Sequence, residues 1–406
     1  MLREGVRMES AAKPPRLDAS VRVGRRFHRD RVTWVLFAEL SAVGYFMYGF
    51  GPSIPLLIDE LGFSPQAAAL HGAALGIGAV AAGSSSALLA SWRGRDAVQR
   101  AALCTLAVGT AVYYVGGTFV VTLCGALIAG YAANVVVNTT AAALSDHHDS
   151  AAPAAISQAN GVSLGVGLLA PLALGTAATI GLDSRAGLLP VIPFIAVVLL
   201  ASRRTRLPDT PRASGSPGAR SPAGGGLGYA FWVSWCVFLL CAGVELAMTF
   251  WASQELRDRT GMSSGAATMG VTAMLLGMVP VRLAGSRLTN RWSSGLLLAG
   301  SIGVNLLGFA VFWWTTTSWT ALSGLVLCGF GIALQFPLTA SRAIAASHGR
   351  PDRAMARIGV GEGLAAAGSP YILSSLADSV GIHLAFLMIP VLLCGATLGL
   401  LLGSRT

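Results

Sequence analysis

Apolar stretches of about 20 residues recur along this chain from end to end, and that is the length an α-helix needs to cross roughly 30 Å of hydrocarbon. They lie near 32–56, 65–90, 97–117, 119–145, 152–180, 186–202, 229–254, 264–285, 294–315, 318–345, 354–378 and 382–403. Only 11% of the residues are charged and 54% are hydrophobic, whereas soluble domains carry roughly 25% charged residues. So few charges do not cover a water-facing surface of this size, and lipid is the solvent that remains. The expected fold is an all-α membrane protein with twelve transmembrane helices. Glycines and prolines inside the stretches fit this reading, because membrane helices carry both more often than soluble ones do.

Basic residues give the expected orientation. Of the 28 lysines and arginines, all but Arg185, Arg257 and Arg259 fall on one side if both termini share that side. Positive residues are retained in the cytoplasm during insertion, so both termini are expected inside, in a cell (inner) membrane. This count assigns Arg282, Arg287 and Arg291 together to the connection between helices 8 and 9. The +10 net charge is not a nucleic-acid signature, because the basic residues sit in short connections with no aromatic interleaving. The first 30 residues are polar and arginine-rich and do not read as a cleavable signal peptide. The six cysteines lie in apolar segments without metal-ligand spacing and read as small apolar fillers.

The chain also repeats itself. A constant shift of 199 positions carries Gly62 onto Gly261, Ser64 onto Ser263, Gly109 onto Gly308, Gly125 onto Gly324, Gly130 onto Gly329 and Pro171 onto Pro370. Six helices return the chain to the same side, so the two copies are parallel repeats, an arrangement in which the site lies between the halves near the bilayer midplane. The expected organisation is a basic cytoplasmic arm (1–31), a six-helix bundle (32–202), a linker rich in Pro, Ser and Gly (203–228), and a second six-helix bundle (229–406).

These residues resemble the major facilitator superfamily of the twelve-helix type. The family's loop 2–3 motif is similar to Ala87-Leu88-Leu89-Ala90-Ser91-Trp92-Arg93-Gly94-Arg95, with a second copy at Ser286-Arg287-Leu288-Thr289-Asn290-Arg291. Ser91 and Asn290 stand where the family has an acidic residue. The resemblance implies a gating role for Gly94, Arg95, Asn290 and Arg291. Ala170-Pro171-Leu172-Ala173-Leu174-Gly175 is a degenerate form of an antiporter motif of the fifth helix, and Gly243-Val244-Glu245 with Trp251 is similar to the fucose-permease-like branch.

Charges inside a membrane cost about 2.5–3.5 kcal/mol on insertion scales and usually face the bundle interior. Glu245, deep in the seventh segment with no basic residue nearby in sequence, reads as a proton carrier or else as a neutral packing residue. Glu39 is expected on the helix face shared with Phe46, the repeat partner of Glu245, and so to turn toward the same cavity as a second proton-coupling residue; its alternative is a glutamate paired with the basic arm or snorkelling to the interface. Glu362, opening the eleventh segment, reads as half of a structural ion pair with Arg357 or equally with Arg353. Tyr131, Asn134 and Asn138 form one polar stripe that suits a polar solute or interhelical hydrogen bonds, and His71 and Gln335 are further substrate-binding candidates. Trp313 and Trp314 read as an interfacial belt, and His147 and His148 as a solvated polar turn rather than a metal site.

The functional expectation is a secondary transporter of a small solute, proton-coupled, with a preference for efflux of a drug or metabolite. The alternatives are an uptake symporter for a sugar or small polar metabolite, and a non-transporting sensor on the same fold. No nucleotide loop or nucleophile constellation suggests an enzyme. The expected partners are a small-molecule substrate, protons and the lipid bilayer. No cofactor, metal or nucleic acid is expected, and the chain is expected to act as a monomer.

Overall fold

The computed structural model describes residues 29–148, 152–203, 205, 227–347 and 350–403. The basic arm before Arg29 and nearly all of the 203–228 linker lie outside the described residues. Twelve helices follow in order: α1 (Arg31–Leu61), α2 (Pro65–Arg93), α3 (Arg95–Val115), α4 (Phe119–His148), α5 (Ala152–Gly167 continuing as Leu169–Thr179), α6 (the 3-10 turn Ser184–Leu188 leading into Val191–Ser202), α7 (Tyr229–Thr260), α8 (Ser264–Arg291), α9 (Ser294–Trp314), α10 (Ser318–Ala345), α11 (Pro351–Val380) and α12 (Ile382–Ala385 leading into Met388–Gly403). The face where α1 begins and α12 ends is called here the terminal face, and the opposite one the distal face.

The repeat is written into local geometry. Gly62 and Gly261 close α1 and α7 in the left-handed region, at φ 66° and 67°, where a side chain is strained. Ser64 and Ser263 then cap α2 and α8 by accepting the amides of Ala67 and Ala266. Gly109 and Gly308 lie against the backbone of the following helix at Ala129 and Cys328, and Gly125 and Gly324 against Tyr113 and Phe312. A Cβ at any of these glycines has no room, so matched glycines set matched helix crossings. α1 runs on through Pro52 and Pro55 to Leu61, past the end expected near residue 56.

α1–α6 pack as one bundle and α7–α12 as the other, and the bundles meet through α2 on α11, α5 on α8 and α1 on α7. Small residues make the contact close. A Cβ on Gly76 would sit 2.5 Å from the Gly363 carbonyl oxygen, and one on Gly72 would sit 2.9 Å from that of Ala366. Gly175 of α5 similarly abuts Gly265 and Met269 of α8. These contacts occupy the distal part of the interface.

Among the described residues, eleven helices are long and apolar enough to cross a membrane. Among the described residues α11 is the long helix that falls short, and its packing explains why. One side is covered by α2 and another by α7, leaving a narrow exposed stripe at Leu364, Ile372, Leu376 and Val380. Only that stripe has to satisfy lipid. Exposed Trp314 and Trp319 at the distal end, and Trp92 and Trp292 at the terminal end, sit where indoles favour the membrane boundary. The chain is a multi-pass membrane protein.

Candidate functional site

Four side chains from four helices converge where the bundles meet. Glu245 sits at the midpoint of α7. Arg282 of α8 places one terminal guanidinium nitrogen 3.5 Å from Glu245 Oε1, and the other donates to the Tyr48 hydroxyl of α1 at 3.3 Å. Arg282 thus bridges the two halves. The Glu245 and Arg282 side chains are 17% and 20% exposed, so the pair is enclosed but not sealed. The Arg282 Nε has no partner among the described residues.

Glu362 completes the group. A Cβ on Gly361 would meet Trp235 of α7, and one on Gly363 would meet Val80 and Gly76 of α2. Successive helical residues are about 100° apart, so Glu362 projects into the gap between α7 and α2, roughly opposite the exposed Leu364. It is solvent-exposed and lies within electrostatic reach of Glu245 and Tyr48. The expected Glu362–Arg357 ion pair is not formed among the described residues. Five positions separate the two, which puts them about 140° apart on a helix rather than on one face.

Arg282 is also a correction. It was counted with the terminal-face connection but belongs to the membrane interior, where it supplies the cation that Glu245 lacks in the local sequence. The missed signal was its place inside the apolar segment 264–285, upstream of the loop arginines.

Glu39 does not turn toward this site. It is 2% exposed and accepts from Gln99 Nε2 at 3.0 Å; the same amide nitrogen also donates to Thr140, and Thr139 donates to Gln99 Oε1. The stripe it shares with Phe46, Phe50 and Ser53 leads to Tyr113 of α3. The centre is reached instead through Tyr48 and through Gly51, which abuts Thr249 and Phe250. At Glu39 the shared face looks into the first bundle, and only further along, at Phe50, does it meet Phe250 of α7.

The polar candidates are spread out. His71 is fully buried, with Nδ1 near the Ala67 and Ala68 carbonyls and Nε2 2.8 Å from Thr122 Oγ1, so it joins α2 to α4. Tyr131 pairs with Ser85, Asn138 with Ser86, and Asn134 donates to the Gly130 carbonyl of its own helix. This stripe stays partly exposed. Gln335 is 1% exposed, with neither amide atom partnered among the described residues.

At the terminal face, Gly94 (φ 81°) links α2 to α3, and Arg95 pairs with Asp146 of α4 at 2.7 Å, within its own bundle. Arg291 is exposed, and the Asn290 side chain lies outside the described residues. His147 and His148 form the last turn of α4 rather than a solvated loop. They reach Asp30 and Thr33 at 2.6 and 2.8 Å. Burial works to raise the Asp30 pKa, but hydrogen bonds from the Thr33 hydroxyl and amide and from His147 outweigh it and bring it to about 2.

A twelve-helix chain with two parallel bundles and a charged cluster between them falls in the class of two-repeat membrane transporter folds. The fold is the major facilitator fold, and by sequence residues 233–406 match the Major Facilitator Superfamily model. No curated protein matches the sequence. Among solved structures, the chain is similar to the peptide transporter POT (TM-score 0.74, 13% identity, 92% of this chain and 94% of that one). It is also similar to the nucleoside transporter NupG (0.67, 15%, 92% and 98%) and the human organic anion transporter MFSD10 (0.67, 19%, 91% and 99%).

Proposed function

We infer that the protein is a proton-coupled secondary transporter of a small solute, working by alternating access in the inner membrane with both termini cytoplasmic. The observation that carries this reading is the charge count at the centre: one arginine faces two carboxylates. An unbalanced charge within a membrane-spanning bundle is costly. Either Glu245 or Glu362 therefore takes up a proton, or a cationic group of the solute stands in for it. Glu245 is held by Arg282; Glu362 has no such partner among the described residues, and its exposure leaves it open to exchange. Rocking of the bundles changes the hydration of this group, which ties proton movement to solute movement.

The preference for efflux rests on Pro171 and Gly175, since the degenerate antiporter motif falls where α5 meets α8. Uptake by symport would use the same cluster. The test is reconstitution into proteoliposomes with an imposed pH gradient and a panel of nucleosides, organic anions, peptides and lipophilic drugs. Glu245→Gln and Glu362→Gln should abolish gradient-driven accumulation while sparing counterflow. Accumulation that survives both substitutions with an unchanged pH profile overturns coupling at this cluster. The absence of any transport or counterflow favours a sensor on the same fold.

A further inference from the structure

The two bundles close their distal ends with a basic residue from the link between their last two helices, set against a glutamate near the end of their first helix. In the first bundle the cation is Arg185. Its Nε donates to Glu60 Oε2 at 3.1 Å, and its terminal nitrogens reach Asp183 at 2.8 Å and the Gly116 carbonyl at 2.8 Å. The neighbouring Ser184 amide donates to Glu60 Oε1. In the second bundle the residue that matches Ser184 in the repeat is His383. Its Nδ1 lies 2.6 Å from Oε1 of Glu255, whose side chain is 1% exposed. The imidazole stacks on Trp313 with ring centres 4.3 Å apart and planes 8° from parallel, and Trp313 Nε1 donates to the His383 carbonyl at 2.8 Å. Trp313 is thus part of this closure rather than of the boundary belt.

We propose that His383 and Glu255 form a proton-binding site, separate from the central cluster, that regulates opening of the distal face. Arginine keeps its charge at any physiological pH, so the first clamp is permanent. Histidine is the side chain that ordinarily changes charge between about pH 5 and 8, so the second clamp is conditional. With a proton on His383, the buried Glu255 carboxylate faces a cation. Without it, Glu255 retains a neutral donor only. Its second oxygen has no partner among the described residues, and Asp258 repels it while Arg259 attracts it.

The charged and titratable groups around the pair are Glu255, Asp258 and Arg259 on α7 and His383 at the start of α12. α9 contributes only the neutral Trp313, and Asp378 in the last turn of α11 is exposed. The same last turns of α7 carry Arg257, which crosses to Asp59 of α1 at 2.5 Å, where Ser264 of α8 also donates. A loosened Glu255 frees the end of α7 that holds this cross-bundle latch. Acid on the distal side therefore holds the distal face shut, and loss of the proton releases it.

The test uses the full chain in nanodiscs, with its native cysteines replaced and nitroxides at Gly117→Cys and Thr316→Cys. These are repeat-related, exposed sites in the α3–α4 and α9–α10 links. Distance distributions are recorded from pH 5 to 8. The otherwise unaltered chain should shift toward longer distances as pH rises, with the open-to-closed ratio changing severalfold, up to about fivefold, the most that release of an exposed ion pair accounts for. His383→Arg should stay closed and lose the response. Glu255→Gln, isosteric with the native side chain, should flatten it from the other side of the pair. A flat response in the unaltered chain, or an unchanged response in either variant, overturns the proposal. A response that disappears in Glu245→Gln/Glu362→Gln but survives His383→Arg places the proton at the central cluster and overturns this inference alone. Loss of coupled transport in the central variants with the distal response intact leaves the two sites independent, as proposed.

Discussion

Glu39 and Glu245 are both glutamates buried within long apolar helices of equivalent rank in the two repeats, yet they belong to different structures. Glu39 sits inside one bundle, satisfied by Gln99 in a network of neutral amide and hydroxyl groups. Glu245 sits between bundles, beside an arginine that also holds the opposite half through Tyr48. In the rocking proposed above, the first set of partners would move as one body, and the second would be pulled apart or repacked. Burial alone therefore does not mark a coupling residue. What marks it is whether its partners lie on both sides of the moving interface.

The largest expected effect comes from breaking the Arg282 contact. Arg282→Ala leaves Glu245 without its cation, and removing one partner of a buried pair costs about 3–5 kcal/mol. Thermal unfolding in detergent should show that loss at pH 7.5 and recover part of it at pH 5, where the stranded carboxylate can be neutralised. Transport should be undetectable. An Arg282→Ala variant with full transport removes the pair from the mechanism and erases its contrast with Glu39.

Next in size is the comparison of glutamines. Glu39→Gln keeps a hydrogen-bonding side chain against Gln99 and removes a charge that no salt bridge holds among the described residues, with Arg100 and Asp96 acting on it in opposite senses. Its stability should change by about 1 kcal/mol, the scale of one hydrogen bond, and the ratio of solute to proton should be unaltered. Glu362→Gln should leave stability nearly unchanged, because the side chain is exposed, but uncouple accumulation. Parallel unfolding and flux measurements separate the two. A Glu39→Gln protein that is stable but uncoupled would reverse the assignment made from geometry.

Much of this architecture was legible in the sequence because membrane helices obey a strong length rule and because the repeat is written in glycines. Gly62 with Gly261 and Ser64 with Ser263 mark helix ends, and backbone geometry at such positions tolerates little else. The central site was half legible. Glu245 declared itself by depth, but its partners did not, since Arg282 and Glu362 lie on other helices and near enough to segment ends to resemble loop charges. Rotation about a helix axis is the quantity that sequence spacing leaves open. It sent Glu39 toward α3 instead of the centre, and it put Glu362 in the gap between α7 and α2 instead of against Arg357.

The smallest effect tests the distal latch, where one ion pair joins the bundles near water. Asp59 and Arg257 side chains are 37% and 30% exposed, and exposed pairs contribute about 0.2–1 kcal/mol. Removing the charge with Asp59→Asn should therefore shift the closed-to-open ratio by no more than about fivefold, and less at high ionic strength, where such pairs are screened. Close packing of Gly72 and Gly76 against α11 remains to hold the face. Opening should be read as alkylation of a cysteine placed at Gly51, where α1 lies against Thr249 and Phe250 of α7, by a membrane-impermeant maleimide added on the distal side. The Gly51→Cys protein without the latch change serves as the reference, because the new side chain itself crowds Thr249. A severalfold rise in the labelling rate on Asp59→Asn, narrowed in half-molar salt because salt raises labelling of the reference but not of Asp59→Asn, assigns the pair a modest share of the closure. A rise of a hundredfold or more would mean that the ion pair, and not the small-residue packing, seals the distal face.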